Sequence, residues 1–310
     1  MSNHSFFSLL ILLLLFTISA SSAHDEPFTS TSGDTNNVYT LKVSTLENTN
    51  LDNLLSFAYY QKTCPHFESI LHNKLKQWIQ NDYTLAAALM RLHFHDCSVR
   101  GCDGSILLNH EGSERRAKAS KTLRGFEVID DIKEELEKHC PKTVSCADIL
   151  TAVSRDATVQ LGGPYWSVPY GRKDGFFSIA NEADQLVPMG HENITSLLEF
   201  IQSKGMNVLD LVVLSGAHTI GRASCGSIQN RLYSYEGTGK PDPSMNPKYL
   251  NFLQRKCRWA SETSPIVSAL ASVPYIFKHQ FAVSMAKLGN VGVLTGQDEG
   301  EIRTNCSFVN

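Results

Sequence analysis

Residues 88–105 read A-L-M-R-L-H-F-H-D-C-S-V-R-G-C-D-G-S. The stretch opens as a helix: Ala86 to Met90 are strong helix formers, and Leu89, Leu92 and Val99 recur near helical spacing. Arg91 and His95 stand four residues apart, so they leave one helix face a turn apart. A fixed cation beside a histidine of tunable charge suits acid–base work on a small polar substrate. The stretch closes as a loop. Asp96, Asp103 and Ser105 supply hard oxygens, and Gly101 and Gly104 let the backbone turn tightly enough to point carbonyls inward. Such a loop suits Ca²⁺, which takes six to eight oxygens, and Cys97 and Cys102 bracket it. Plainer readings stand beside these: an Arg91–carboxylate pair, a satisfied core histidine at 95, a merely solvated acidic loop. Zinc on His93, His95, Asp96 and Cys97 is a further option, but His93 and His95 point to different sides of a helix and no motif with zinc spacing follows.

Working outward, the chain has 310 residues, 42% hydrophobic and 19% charged, which is ordinary for a globular protein with a good core. A net charge of −3 gives no electrostatic case for nucleic acid or an anionic membrane. Phe6 to Ile18 is an apolar run too short for a comfortable membrane span. Ser21-Ser22-Ala23 then fits the small-x-small cleavage rule, so 1–23 is expected to be a signal peptide of a secreted protein. Residues 24–53 are rich in Ser, Thr, Asn and Asp and read as a flexible extension, with the folded domain spanning 54–310. The eight cysteines, Cys64, Cys97, Cys102, Cys140, Cys146, Cys225, Cys257 and Cys306, all follow the signal. In an oxidising compartment they imply four disulfides, with 105 pairings open. Asn193-Ile194-Thr195 and Asn305-Cys306-Ser307 are glycosylation sequons.

Most of the chain reads as helix, so the class is mainly α. The expected helices are 67–80, 83–96, 125–139, 145–158, 192–204, 208–214, 222–235, 247–257 and 276–288, with 166–175 a loop or short strand. Within them lies a second chemical stretch, L-V-V-L-S-G-A-H-T-I-G-R at 211–222. Its His218 sits among Gly216, Ala217 and Gly221, small neighbours that clear space for something bulky and flat. A neutral histidine on an apolar background is a good axial ligand for haem iron. A buried histidine bonded to a backbone carbonyl is the alternative.

R-L-H-F-H-D-C at 91–97 and V-V-L-S-G-A-H-T-I-G-R at 212–222 together resemble the distal and proximal motifs of plant secretory (class III) haem peroxidases. The resemblance extends to G-C-D-G-S at 101–105, R-G-F-E-V-I-D at 124–130, V-S-C-A-D-I-L at 144–150, G-R-K-D at 171–174 and E-I-R-T-N-C at 301–306. It implies a helical fold with haem b between distal and proximal halves, H₂O₂ and small phenolic donors as partners, and a monomer in the cell wall or vacuole, with no nucleic-acid or membrane partner. It implies that His95 moves the peroxide proton, that Arg91 stabilises developing charge, and that His218 binds the iron. It implies a calcium at Asp96, Val99, Gly101, Asp103 and Ser105, supported by Glu114, and a second at Thr219. It also implies a buried Asp148–Arg172 ion pair, Pro188 beside the donor entrance, and disulfides Cys64–Cys140, Cys97–Cys102, Cys146–Cys306 and Cys225–Cys257.

Two departures from the family pattern stand out. The asparagine that bonds the distal histidine is missing from residues 117–123, A-K-A-S-K-T-L. After Cys257 the family carries an acidic calcium loop and then S-D-Q, whose aspartate partners the proximal histidine. Here R-W-A-S-E runs directly into T-S-P-I-V, so a few dozen residues are absent near Glu262/Thr263. Thr219 is left without its partners and His218 without its carboxylate, whose role is to set tautomer and basicity. An active peroxidase and a catalytically impaired, peroxidase-like secreted protein are the two readings that follow.

Overall fold

Phe67, Leu71, Leu75 and Ile79 recur every fourth residue and so line one face of a helix; in the computed structural model all four are buried along α1 (Phe67–Asn81). The structure describes residues 28–29, 40–41, 55–190, 192–257, 274–296 and 299–310. The expected signal peptide, nearly all of the 24–53 extension and the junction at Glu262/Thr263 lie outside them. The chain divides into two units, Met1–Ser44 and Thr45–Asn310. In the first, β1 (Phe28–Thr29) pairs antiparallel with β2 (Thr40–Leu41), Phe28 opposite Leu41.

The second unit is helical. α2 (Leu85–Ser98), α3 (Phe126–His139) and α4 (Cys146–Gln160) follow α1. α4 is buried along nearly its whole length and packs against α1, α2 and α3. It starts where Ser145 Oγ accepts the Asp148 amide at 3.1 Å, an N-cap worth about 1 kcal/mol. Beyond come α5 (Ala180–Leu186), α6 (Ile194–Ser203) and α7 (Val208–Ser215). α8 (Gln229–Tyr233), α9 (Pro247–Cys257) and α10 (Pro274–Leu288) complete the described helices. Asp210 joins two of them. It closes a capping box with Asn207 at the start of α7 and takes Ser284 Oγ at 2.7 Å and Lys287 Nζ at 3.0 Å from α10.

Two elements differ from the sequence expectation. Residues 222–235 form no single helix. Two short turns stand there, Cys225–Ile228 and α8, because Ser224 caps the first turn and Cys225 is bonded to Cys257. Ala180–Leu186 is a helix that the polar sequence N-E-A-D-Q conceals, since only Ala183 of it is buried. Residues 166–175 run extended, with isolated bridges at Ser56–Tyr170, Lys173–Leu294 and Asp174–Glu301.

The remaining disulfides are Cys64–Cys140, Cys97–Cys102 and Cys146–Cys306. The last closes the longest loop, 160 residues in sequence separation. Replacing Cys146 and Cys306 together by alanine is expected to lower the unfolding free energy by about 4–5 kcal/mol. A urea titration measures this, and an unchanged midpoint contradicts it. Beneath this tie lies the buried pair Asp148–Arg172 at 2.8 Å, where Asp148 also accepts Tyr60 Oη at 2.7 Å and the Gly171 amide at 2.8 Å. Every hydrogen bond that the buried pair needs in place of water is thus supplied by the protein.

Candidate active site

α2 presents Arg91 and His95 one turn apart. His95 is buried, and burial followed by the charge of Arg91 pushes its pKa down to about 3. The ring is therefore neutral across the ordinary pH range. Its Nδ1 is buried with no hydrogen-bond partner among the described residues. The segment that lacks the family's asparagine serves Arg91 instead: Nη1 donates to Thr122 Oγ1 at 2.8 Å and Nη2 to the Ala119 carbonyl at 3.3 Å. Nothing in the residue pattern singled out Thr122 or Ala119. His95 is thus an imidazole held by packing, while the guanidinium of Arg91 is held by hydrogen bonds.

At the end of α2 the loop turns back on itself. Asp96 accepts the amides of Gly104 at 3.0 Å and Ile106 at 3.3 Å, and Asp103 accepts that of Ser105 at 3.1 Å. Gly101 has φ +130°, and a Cβ there would strike the Gly292 backbone, so only glycine fits. Asp96, Val99, Asp103, Ser105 and Glu114 are all buried. Ser105 Oγ and both carboxylate oxygens of Glu114 make no hydrogen bond of normal geometry. Burial raises all three acids: Asp96 and Asp103 lie above the usual carboxylate range, and Glu114 is pushed up to about 8 by burial and then by Asp103. Buried acids with idle oxygens are the donor set a hard cation wants. The zinc option fails here. His93, Cys97 and Cys102 do converge, yet the two sulfurs are bonded to each other and cannot serve as thiolates.

His218 lies in a 3₁₀ turn, Gly216–Thr219, that continues α7. It is exposed rather than buried, and its Nδ1 stands 3.1 Å from the Ser215 carbonyl. Residues 218–224 are all exposed. Thr219 Oγ1 donates to the Gly216 carbonyl at 2.9 Å. Arg222 Nη2 donates to Tyr83 Oη at 3.3 Å, which ties this stretch to the residues just before α2. Pro188 follows α5, half-buried between exposed Leu186 and Met189.

These residues fit a haem. A carbonyl on Nδ1 of the exposed His218 leaves Nε2 without a partner among the described residues, available for iron, and His95 supplies a neutral, solvent-shielded imidazole beside a cation. Among the described residues no helix is long and apolar enough to cross a membrane.

A family model described as Peroxidase matches residues 71–297. Peroxidase 7 of Arabidopsis thaliana is 54% identical over 300 residues, covering 84% of this chain and 86% of that protein. Peroxidase 28 of the same plant is 41% identical over 300 residues, covering 83% and 93%. The crystal structure of the TL29 protein from Arabidopsis thaliana is similar in fold alone, with a TM-score of 0.50 and 15% identity over 76% of this chain and 97% of its own. With a match that runs from α1 past α10, the chain belongs to the plant secretory (class III) haem peroxidase family.

Proposed function

We propose that Arg91, His95 and His218 are the working residues by which this secreted haem peroxidase reduces H₂O₂ and oxidises phenolic donors. The observation that carries the assignment is a buried histidine, neutral above about pH 3, one helical turn from a hydrogen-bonded guanidinium. Haem b, which His218 would hold through its iron, would supply the redox chemistry. His95 takes a proton from one peroxide oxygen and returns it to the departing one, which leaves as water. The Arg91 guanidinium, fixed by Thr122 and Ala119, meets the negative charge that grows as the O–O bond lengthens. Each phenol then gives up one electron and one proton, so two phenols and one H₂O₂ yield two waters and two phenoxyl radicals. The 54% identity to Peroxidase 7 favours the active enzyme over the impaired reading.

Asp96, Val99, Gly101, Asp103 and Ser105 would hold a calcium, with Glu114 beside them; the buried oxygens of Ser105 and Glu114, which make no hydrogen bond of normal geometry, support this. Its place at the C-terminal end of α2 would fix the helix that carries Arg91 and His95. A second calcium at Thr219 is not expected to form. Its hydroxyl is turned to the Gly216 carbonyl, and the acidic loop that would complete the site is absent from the sequence. The exposure of residues 218–224 supports this reading. Pro188, half-buried between exposed Leu186 and Met189, would flank the entrance for the donor.

The test is turnover of a simple phenol with H₂O₂ by the haemin-loaded chain. Wild type is expected to turn over and His218→Ala to lose the bound haem and the activity together. Equal activity in both contradicts the assignment. Asn193 is expected to carry a glycan, since Asn193 and Thr195 are both exposed, and Asn305 to carry none, since Ser307 is buried and Cys306 is tied to Cys146. A glycosidase mobility shift that disappears in Asn193→Gln and persists in Asn305→Gln checks both.

A further inference from the structure

A carbonyl oxygen carries lone pairs and no proton. The 3.1 Å contact between the Ser215 carbonyl and His218 Nδ1 therefore places the ring proton on Nδ1. The turn leaves little choice of partner. The Gly216 carbonyl is taken by Thr219 Oγ1 at 2.9 Å, and the Ala217 carbonyl by the Ile220 amide at 3.2 Å. The turn is also clamped from outside: a Cβ on Gly216 would run into the ring of Phe277, on α10. α10 is itself pinned to α7 through Asp210, Ser284 and Lys287. The Ser215 carbonyl is thus fixed at one end by α7 and beside it by the packed ring of Phe277.

We infer that the Ser215 backbone carbonyl is the positioning group of His218 in this chain, holding it as the Nδ1–H tautomer so that a neutral imidazole offers Nε2 to the metal. This rests on the haem assignment above and adds how the axial ligand is tuned. A carboxylate partner attracts the Nδ1 proton strongly and gives the ring imidazolate character; a carbonyl accepts the hydrogen bond and goes no further. His218 accordingly pushes less electron density toward iron than a carboxylate-partnered histidine does. The ferric state is less stabilised, and the bound iron is reduced at a higher potential.

The first test needs no haem. Histidine-selective ¹⁵N labelling, with His218→Gln for assignment, reads the ring tautomer in the full chain at a pH where the imidazole is neutral. Free imidazole side chains in water favour the proton on Nε2. His218 is expected to show it on Nδ1. A proton on Nε2 overturns the inference whether or not haem binds. A second test loads His218→Gly with haemin and supplies the ligand from solution. Imidazole and 1-methylimidazole both coordinate through one nitrogen, but only imidazole keeps an N–H for Ser215. Imidazole is expected to bind roughly five- to tenfold more tightly, the worth of one neutral hydrogen bond. Equal affinities overturn the inference. If His218→Gly takes up no haemin at all, the haem-free tautomer still decides it.

Discussion

His95→Leu is expected to slow the reaction of the haem-loaded chain with H₂O₂ by about 10³–10⁴-fold, at the upper end of what a positioned acid–base group contributes. His95 is buried and is not the proposed iron ligand, so haem content should stay at the wild-type level. Arg91→Leu should cost less, about 10²–10³-fold, because it removes charge stabilisation but leaves the proton relay in place. The pH dependence follows from the ring's environment. His95 acts as a base only when neutral, and burial with Arg91 nearby holds its pKa at about 3 rather than 6.5. The peroxide step should therefore stay flat as the pH falls through 6.5 and decline only on approach to about 3. Among the described residues its Nδ1 has no acceptor to stabilise the protonated ring, and this agrees with so low a value. Stopped-flow rates across that range measure both effects. A decline centred near the ordinary histidine value would mean that another group carries the proton.

Calcium removal is the second large effect. Burial raises the pKa of Asp96, Asp103 and Glu114, and Asp103 raises Asp96 and Glu114 further, so the folded chain without a cation holds buried acids at a cost. An ion that binds only the folded form at a thousandfold excess over its Kd stabilises by about 4 kcal/mol. For a chain of this size that is about 10 °C in Tm. Chelation should remove this amount, and Asp96→Ala should make the chain insensitive to the chelator. The loss should also reach the chemistry, since the loop closes the end of α2 just beyond His95. Calorimetry with and without chelator measures it. Superimposable melting curves for wild type would show that the loop holds no cation.

Where burial follows a periodic face, the fold was legible in the residues. α1 announces itself by Phe67, Leu71, Leu75 and Ile79, and α4 by its Ser145 cap and apolar run. α5 escaped because a short helix that buries only Ala183 leaves no periodic signal. The helix expected over 222–235 fails because local periodicity says nothing of a disulfide that draws Cys225 toward Cys257. In the site, the four-residue spacing of Arg91 and His95 is enough by itself to put them on one face of α2. What holds them was not legible. Thr122 and the Ala119 carbonyl lie about thirty residues away in sequence, and a backbone carbonyl such as that of Ser215 has no letter in a sequence. The buried His218 considered from the apolar run is exposed, because an apolar run in sequence does not say which of its members the fold covers.

The most direct measurement is an absorption spectrum of the full chain with haemin and Ca²⁺, taken first alone, then after one equivalent of H₂O₂, and again after a phenol. The expected result is a five-coordinate ferric spectrum that shifts on peroxide and returns with the phenol, and that is absent in His218→Ala. A spectrum of free haemin throughout, unchanged by His218→Ala, would contradict the assignment of His218, His95 and Arg91 as the working residues of a haem peroxidase.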